Sequence, residues 1–132
     1  ASESSSDIQT EVTRMAERAE ATLKFRPTVT FEGPVRTLVA PEVAPDLLAV
    51  LGEALSNIGR HAEASAVEVH LQAGTEVVLT VADNGRGLPE RVVESGLGNI
   101  RQRAQRHRGA LDVASAPGEG TRLRWSVPVS SG

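Results

Sequence analysis

The chain has 132 residues, enough for one domain, and its 39% of hydrophobic residues favours a packed core over disorder. Its formal net charge of −3 and its 2% of aromatic residues disfavour a general nucleic-acid binder and a base-stacking fold for single strands. The absence of cysteine excludes disulfide scaffolds, thiolate zinc sites and a cysteine nucleophile, and it fits a reducing, cytoplasmic location.

The first part of the chain divides into a patternless start and a predicted helix. Residues 1–6 are polar, and we interpret them as a disordered start or as residues added in cloning. Residues 7–26 predict a helix, because apolar side chains recur there at three- and four-residue steps after Asp7, which would cap it. Pro27 ends this helix, so the main domain is expected over residues 27–130.

Two short extended pieces and a long amphipathic helix come next. Residues 29–32 and residues 35–40 are each predicted to be extended, with a Gly-Pro turn signal between them. Between residues 41 and 62, apolar side chains occupy one arc of a helical wheel and polar side chains occupy the opposite arc. This pattern predicts one continuous α-helix that ends near Ala62.

A β-hairpin is predicted after this helix. Residues 67–72 alternate between apolar and polar side chains, which is typical of a strand with one wet face. Residues 77–82 are almost all apolar, which indicates a more buried strand. Gly74 is expected in the turn between the two strands.

A glycine-rich loop, a helix and a second hairpin complete the chain. The loop over residues 83–98 is long, and long loops in compact domains are usually functional. An arginine-rich helix is expected from about residue 99 to residue 107, with Gly109 as its C-cap. Residues 110–114 and 121–127 predict the closing hairpin. The order of these elements indicates an α/β fold, with a mixed sheet covered on one face by helices.

Three polar residues recur at steps of four on the predicted long helix. Glu53, Asn57 and His61 therefore lie near one stripe of its surface. A carboxylate one turn from a carboxamide can hold Mg²⁺ or a water molecule, because magnesium prefers such oxygen ligands. A solvated helix face is the alternative interpretation, and the spacing by itself favours that alternative.

A second motif begins at Asp83, directly after the buried strand. A side chain at this position can point into a pocket that the sheet holds rigid. A buried carboxylate is costly unless it accepts strong hydrogen bonds, and the exocyclic amine of a purine would supply one. Gly85 and Gly87 would let the backbone approach a flat ligand closely. An ordinary Asn-Gly turn between strands is the alternative interpretation.

Two weaker motifs follow. Gly96, Leu97 and Gly98 lead into a helix, which is the general form of a phosphate cradle but matches neither a Walker loop nor a dinucleotide fingerprint. A flexible hinge is the alternative for this segment. Thr121 opens a strand, where its hydroxyl could donate a hydrogen bond to a ligand, although a threonine there is common.

In this order, the motifs at residues 53–61, 83–87, 96–98 and 120–121 resemble the ATP-binding catalytic domain of bacterial two-component sensor histidine kinases. That domain belongs to the gyrase, Hsp90, histidine kinase and MutL superfamily. The resemblance covers about residues 29–129. It implies a Bergerat-type two-layer α/β sandwich, in which a mixed, mostly antiparallel sheet of about five strands is covered on one face by about three helices.

The nitrate-sensor and dormancy-sensor branch of these kinases is the most similar one. A short lid over residues 88–95 without a phenylalanine box, followed by Gly-Leu-x-Asn-Ile-Arg-x-Arg, carries this closer likeness. So does the closing Gly-Thr-Arg-Leu-Arg-Trp.

The resemblance also implies a role for each matching residue. Glu53 would be the catalytic residue, as a base or as a ligand of a magnesium-bound water, and Asn57 would bind Mg²⁺. Asp83 would read adenine, and Thr121 would support adenine through water. The other expected nucleotide-binding residues are Arg60, His61, Gly85, Gly87, Gly96, Leu97 and Gly98.

The implied activity is that of an ATP-dependent protein-histidine kinase. It would transfer the γ-phosphoryl group of ATP to a histidine on a separate dimerisation domain, for relay to a response regulator. None of His61, His70 and His107 is followed by the acid that marks the phosphoacceptor in this family, so we expect a monomeric catalytic fragment with residues 7–26 as its linker helix. The alternatives are an anti-sigma-factor serine kinase and a non-catalytic ATP-gated interaction module. Contact with nucleic acid or membrane is not expected, since no apolar run approaches the ~20 residues of a membrane span.

Overall fold

The computed structural model describes residues 7–86, 97–116 and 118–129. Within these ranges the α-helices are α1 (Ile8–Leu23), α2 (Val35–Leu38), α3 (Ala44–Asn57) and α4 (Gly98–Arg106). Helix α3 continues into a π-helical turn over Ile58–Ala62. The strands are β1 (Thr28–Glu32), β2 (Val67–Ala73), β3 (Glu76–Asp83), β4 (Ala110–Ala116) and β5 (Gly120–Pro128).

The strands form one five-stranded sheet in the order β1-β2-β3-β5-β4. Strand β1 pairs with β2 in parallel, and the other three pairings are antiparallel. The expected mixed, mostly antiparallel sheet is therefore confirmed, and so are both predicted hairpins, which are β2–β3 and β4–β5.

Alternate side chains of the sheet are buried against the helices, which makes a two-layer sandwich. We call this the inner face of the sheet, and its buried apolar members on the three central strands are Val67, Val69, Leu71, Ala73, Val77, Leu79, Val81, Leu123, Trp125 and Val127. Helix α3 packs against β3, and α4 packs against β4 and β5. The indole Nε1 of Trp125 donates to the carbonyl oxygen of Ile100 in α4 at 3.2 Å, so the largest core side chain also fixes a helix.

Helix α1 begins as predicted and ends earlier than predicted. The side chain of Asp7 accepts a hydrogen bond from the backbone N–H of Thr10 at 2.9 Å, so Asp7 is the N-cap. The helix ends at Leu23, because Lys24 adopts a left-handed conformation with φ 76° before Pro27 is reached.

The prediction of an extended segment over residues 35–40 is wrong, because α2 occupies its first part. The backbone N–H groups of Thr37 and Leu38 both donate to the carbonyl oxygen of Pro34, at 3.1 and 3.0 Å. Proline suits the start of a helix, because its φ is already close to the helical value. A single turn of four residues is too short for hydrophobic periodicity to reveal.

The prediction of one α-helix as far as Ala62 is also wrong in its last turn. The wider π-helical turn replaces the α-helix after Asn57, so the four-residue spacing to His61 no longer sets the direction of that residue. Helix α1 lies close to this turn, because a Cβ on Gly59 would lie 3.0 Å from the Cγ2 atom of Thr22. Single π-helical turns inside helices are frequently found at functional sites.

Gly109 does not have the conformation expected of a C-cap glycine. Arg108 takes the left-handed position with φ 64°, and Gly109 follows it, donating from its N–H to the carbonyl oxygen of Ala104 at 2.7 Å. Glycine is required there for space, because a Cβ would lie 1.9 Å from the carbonyl oxygen of Ser126.

A buried acid joins α3 to α4 at the end of α3 that lies away from the π-helical turn. Asp46, in the first turn of α3, accepts hydrogen bonds from Arg103, from Arg106 at 3.1 Å and from His107 at 2.6 Å. Burial by itself would raise the pKa of Asp46, but the hydrogen bonds from His107 and Arg103 and the charge of Arg106 hold it below the ordinary 3.8. The sequence analysis did not identify this cluster.

Replacing Asp46 with asparagine is expected to lower the free energy of unfolding by about 1.5–3 kcal/mol at pH 7, because hydrogen bonds to a charged group are lost. An acid with a lowered folded-state pKa stabilises the fold above its unfolded pKa, and this stabilisation is lost as the pH falls through the folded-state pKa. The difference between Asp46→Asn and the unchanged chain in urea unfolding should therefore shrink below about pH 3.8. Asp112→Asn, at an exposed acid of β4, is the control. An equal difference at pH 7 and pH 3 would contradict this electrostatic role.

Within the described ranges, no helix combines the length and the apolar character that crossing a bilayer requires.

Candidate functional site

A small cavity lies at the end of the inner face, where β3 and β5 meet the C-terminal part of α3. Its wall is apolar except at three positions, which are Asn57, Asp83 and Thr121. The apolar members of the wall are Ala54, Ile58, Val81, Leu97 and Leu123. An apolar slot with a few convergent polar groups is the usual form of a small-molecule site.

The sheet register explains why two of the polar groups meet here. Asp83 continues the buried alternation of Val81 in β3, and Thr121 continues that of Leu123 in β5. Asp83 and Thr121 are direct partners in the antiparallel pairing of β3 with β5. Both side chains therefore lie on the inner face, at the edge where the sheet opens into the cavity.

Asp83 is a buried acid with spare hydrogen-bonding capacity. It is 9% exposed, and its Oδ1 accepts a hydrogen bond from the N–H of Gly85 at 2.7 Å. Its Oδ2 is buried and has no hydrogen-bond partner among the described residues. Burial raises the pKa of Asp83, although the backbone N–H groups of Gly85 and Thr121 oppose that shift. A buried acceptor without a partner is costly, so this oxygen is available to a hydrogen-bond donor from outside the chain.

Asn57 presents its carboxamide to the same cavity from α3. It is 3% exposed, its Nδ2 has no partner among the described residues, and its Oδ1 accepts only a long hydrogen bond of 3.4 Å from Arg60. Among the described residues there is no group of three His, Cys, Asp or Glu side chains that could enclose a metal ion. The single neutral oxygen of Asn57 fits a magnesium ion that takes its other ligands from phosphates and water.

The other residues of the α3 motif are placed less centrally. Glu53 lies one turn before Asn57, is half-buried, and has no hydrogen-bond or ion-pair partner among the described residues. It is not part of the cavity wall. Arg60 is exposed in the π-helical turn, beside the carboxamide of Asn57. The backbone of His61 lies in that turn, and its side chain is outside what the structure describes.

The glycine motifs are only partly within the described residues. Gly85 is buried, and its backbone N–H donates a hydrogen bond to the carboxylate of Asp83. Leu97 is buried in the cavity wall, and Gly98 is the first residue of α4. Gly87, Gly96 and the expected lid over residues 88–95 lie outside the described residues, so their roles stay predictions.

Two supporting residues of this site have partners that sequence reasoning did not identify. Gly120 has φ +82°, and a Cβ there would lie 2.0 Å from the carbonyl oxygen of Asp83, so only glycine lets β5 start this close to the end of β3. The hydroxyl of Ser115 in β4 lies 2.9 Å from the hydroxyl of Thr121. The sequence marks Gly120 as a turn residue, but its contact with a distant strand end is a property of the folded sheet.

Comparison with known proteins agrees with this architecture. Residues 42–131 match the family of histidine kinase-, DNA gyrase B- and HSP90-like ATPases. The chain is 35% identical to the sensor histidine kinase LiaS of Bacillus subtilis over 97 residues, which is 70% of this chain and 27% of LiaS. It is 41% identical to the nitrate/nitrite sensor protein NarX of Escherichia coli over 90 residues, which is 65% of this chain and 15% of NarX.

The solved structures that it resembles include the histidine kinase domain of the Erythrobacter litoralis EL346 blue-light activated histidine kinase. The TM-score is 0.71 at 25% identity, and the match covers 93% of this chain and 61% of that one. The chain belongs to the histidine kinase-, DNA gyrase B- and HSP90-like ATPase family. It spans less than a third of the length of LiaS and of NarX.

Proposed function

We propose that this chain binds ATP together with Mg²⁺ in the cavity between α3 and the ends of β3 and β5. The observation that carries this proposal is the buried carboxylate of Asp83, whose Oδ2 has no hydrogen-bond donor among the described residues, in a wall that is apolar apart from Asn57, Asp83 and Thr121. Adenine matches such a site, because it is flat and largely apolar and carries an exocyclic amine at one edge. The membership of this chain in an ATPase family supports the same ligand.

The cavity is much smaller than a nucleotide, so the base would enter at the Asp83 end and the phosphates would lie outside it, near the end of α3. Val81, Leu97 and Leu123 form an apolar surface for the base beside the Asp83 acceptor. Asn57 lies on the helical side, where its Oδ1 would contact the metal, and Arg60 follows in an exposed position suited to a phosphate. When bound, Mg²⁺ neutralises negative charge on the phosphates of the nucleotide.

We infer that the activity is transfer of the γ-phosphoryl group to a histidine imidazole on a separate dimerisation domain. Several relatives are named sensor histidine kinases, which supports this acceptor over serine and over a non-catalytic module. Glu53, one turn from Asn57, has a carboxylate without a partner among the described residues, so it can orient the attacking imidazole or accept its proton. In phosphoryl transfer the protein contributes mainly positioning and charge stabilisation.

The proposed partners follow from this activity. The relatives extend far beyond the matched region, which leaves room in them for a dimerisation and phosphoacceptor domain. The response regulator, which would receive the phosphoryl group on an aspartate, belongs to the same proposal.

The proposal is tested by calorimetric titration of the chain with ATP, with and without Mg²⁺, followed by phosphorylation of a separately expressed dimerisation domain that carries a phosphoacceptor histidine. Wild-type chain should bind ATP and phosphorylate that domain. No ATP binding at millimolar nucleotide would overturn the proposal.

Asn57→Ala is expected to abolish the effect of magnesium on ATP affinity, because it removes the one carboxamide oxygen that faces the cavity from α3. Wild-type affinity should rise about tenfold on adding Mg²⁺, whereas the affinity of Asn57→Ala should change less than about twofold. Ser56→Ala, at the exposed neighbouring position of the same helix, is the matched control and should behave like wild type. If Asn57→Ala keeps the full magnesium effect, the metal is held elsewhere.

A further inference from the structure

The side chain of Asn84, which lies next to the cavity without lining it, makes three hydrogen bonds to described residues. Its Oδ1 accepts hydrogen bonds from the backbone N–H groups of Ser65 and Ala66, both at 2.9 Å. Its Nδ2 donates to the hydroxyl of Ser65 at 3.0 Å. Its own backbone N–H donates to the carbonyl oxygen of Ala66 at 3.3 Å.

These bonds join the end of β3 to the segment that leads from the α3 helix end into β2. The segment over residues 63–66 follows the π-helical turn that carries Arg60, and Glu63 reverses the chain there with φ 53°. The last residue pair between β2 and β3 is Val67 with Asp83. The Asn84 side chain therefore continues the connection between the two chain segments by one further step, beyond the end of the regular pairing.

A second contact spans the same gap. The guanidinium of Arg86 lies 3.9 Å from the carboxylate of Glu63, with both side chains more than half exposed. An exposed pair at this distance contributes little by itself. The three Asn84 bonds are shorter, and two of them order backbone N–H groups that strand pairing leaves without a partner.

The side chain of asparagine suits this position in length and in chemistry, and its oxygen makes the two contacts to backbone. One oxygen accepts from two consecutive N–H groups, while the nitrogen donates to a hydroxyl. Asn84 and Ser65 are both exposed, so the bonds bury no apolar surface. Their effect is to fix where the segment lies rather than to add to the core.

We propose that Asn84 is a positioning residue of the nucleotide site. It holds residues 63–66 against the end of β3 and thereby sets the spacing between Asp83, at the base end, and the helix end that carries Asn57 and Arg60. This inference rests on the proposed ATP binding. A ligand that reaches both ends of the site depends on that spacing, whereas a ligand that occupies the base end alone does not.

The test compares two ligands, ATP with Mg²⁺ and adenosine, by calorimetric titration of this chain. For Asn84→Ala, the ATP affinity should fall about tenfold, while the adenosine affinity should stay within about twofold, because Asp83, Gly120 and Thr121 are unchanged. Asn84→Asp keeps an acceptor for both N–H groups and should retain most of the wild-type ratio of ATP to adenosine affinity. Ser65→Ala removes only the Nδ2 bond and is the matched control, expected to stay within about twofold for both ligands.

The outcomes separate positioning from simple stabilisation. If Asn84→Ala lowers the unfolding temperature and leaves the ratio of the two affinities unchanged, Asn84 is structural only and the inference is overturned. If Asn84→Ala does not fold, Asn84→Gln replaces it, since it keeps the carboxamide and displaces it by one methylene. A lower ratio in Asn84→Gln supports positioning, and a wild-type ratio contradicts it. If the wild-type chain binds adenosine but not ATP, or binds neither, the proposed function itself fails. The wild-type titrations show this without the variants.

Discussion

Glu53→Gln is expected to slow phosphoryl transfer to an added dimerisation domain about 10²–10⁴-fold, while ATP affinity stays within about twofold of wild type. The substitution keeps the shape of the side chain and removes its negative charge and its ability to accept a proton. Glu53 lies outside the cavity wall that would hold the base, so binding does not depend on it. Its carboxylate has no partner among the described residues, so in the proposed reaction its charge would be available to the attacking imidazole rather than used in an ion pair.

The experiment measures single-turnover transfer from radiolabelled ATP alongside calorimetric affinity, so that chemistry and binding are separated. Glu42→Gln is the control, because it neutralises an exposed acid at the opposite end of the domain, beside Val43 and Pro128. A wild-type rate in Glu53→Gln would remove Glu53 from the chemical step. An equal loss of affinity and rate would assign it to nucleotide binding instead.

The elements with strong periodicity could be predicted from the sequence. The alternation in β2 and the apolar run in β3 located both strands to within a few residues, because one face of the sheet is buried against helices. Helix α1 was found from its apolar stripe and from Asp7, since a side-chain cap is a local interaction.

Sequence reasoning missed features of two kinds: an element too short to show a period, and features that depend on contacts between distant residues. Helix α2 is a single turn, too short for a period to appear. The π-helical turn lies where α1 approaches Gly59, and Gly109 is confined by the carbonyl oxygen of Ser126. For the π-helical turn and for Gly109, the contact joins segments far apart in the chain, so no local pattern records it.

The sequence predicted the site residues at the strand ends, but it did not predict the residues that support them. Asp83 follows a recognisable buried strand, and the period of two places its side chain on the inner face beside Thr121. The supporting contacts of Gly120, Ser115 and Asn84 arise from strand register and loop packing. These contacts could be named only once the pairing of β3 with β5 and with the segment before β2 was known.

Asp83→Asn is expected to weaken ATP binding by about 1.5–3 kcal/mol, because a charge-assisted hydrogen bond to the adenine amine becomes a neutral one. The preference for ATP over GTP should shrink at the same time. Guanine presents a carbonyl oxygen where adenine presents its amine, so a carboxylate repels it and an asparagine amide can donate to it. Calorimetric titration of both chains with ATP and GTP measures these differences. Equal affinities of wild-type chain for the two nucleotides would contradict the assignment of Asp83 as the adenine acceptor.

The pH dependence separates this role from a structural one. Burial raises the pKa of Asp83 above the ordinary 3.8, so its carboxylate becomes protonated at a higher pH than an exposed aspartate would. ATP affinity should therefore fall as the pH is lowered, beginning above pH 3.8, and the affinity of Asp83→Asn should show no such decline.

The effect of Asp83 on stability has the opposite sign: an acid with a raised folded-state pKa destabilises the fold once the pH exceeds that pKa. Asp83→Asn should accordingly unfold at the same or a higher urea concentration than wild type at pH 7. If Asp83→Asn lowers ATP affinity and raises stability against urea, the carboxylate serves ligand binding at a cost in stability. If it lowers both ATP affinity and stability, Asp83 mainly holds the end of β3 in place.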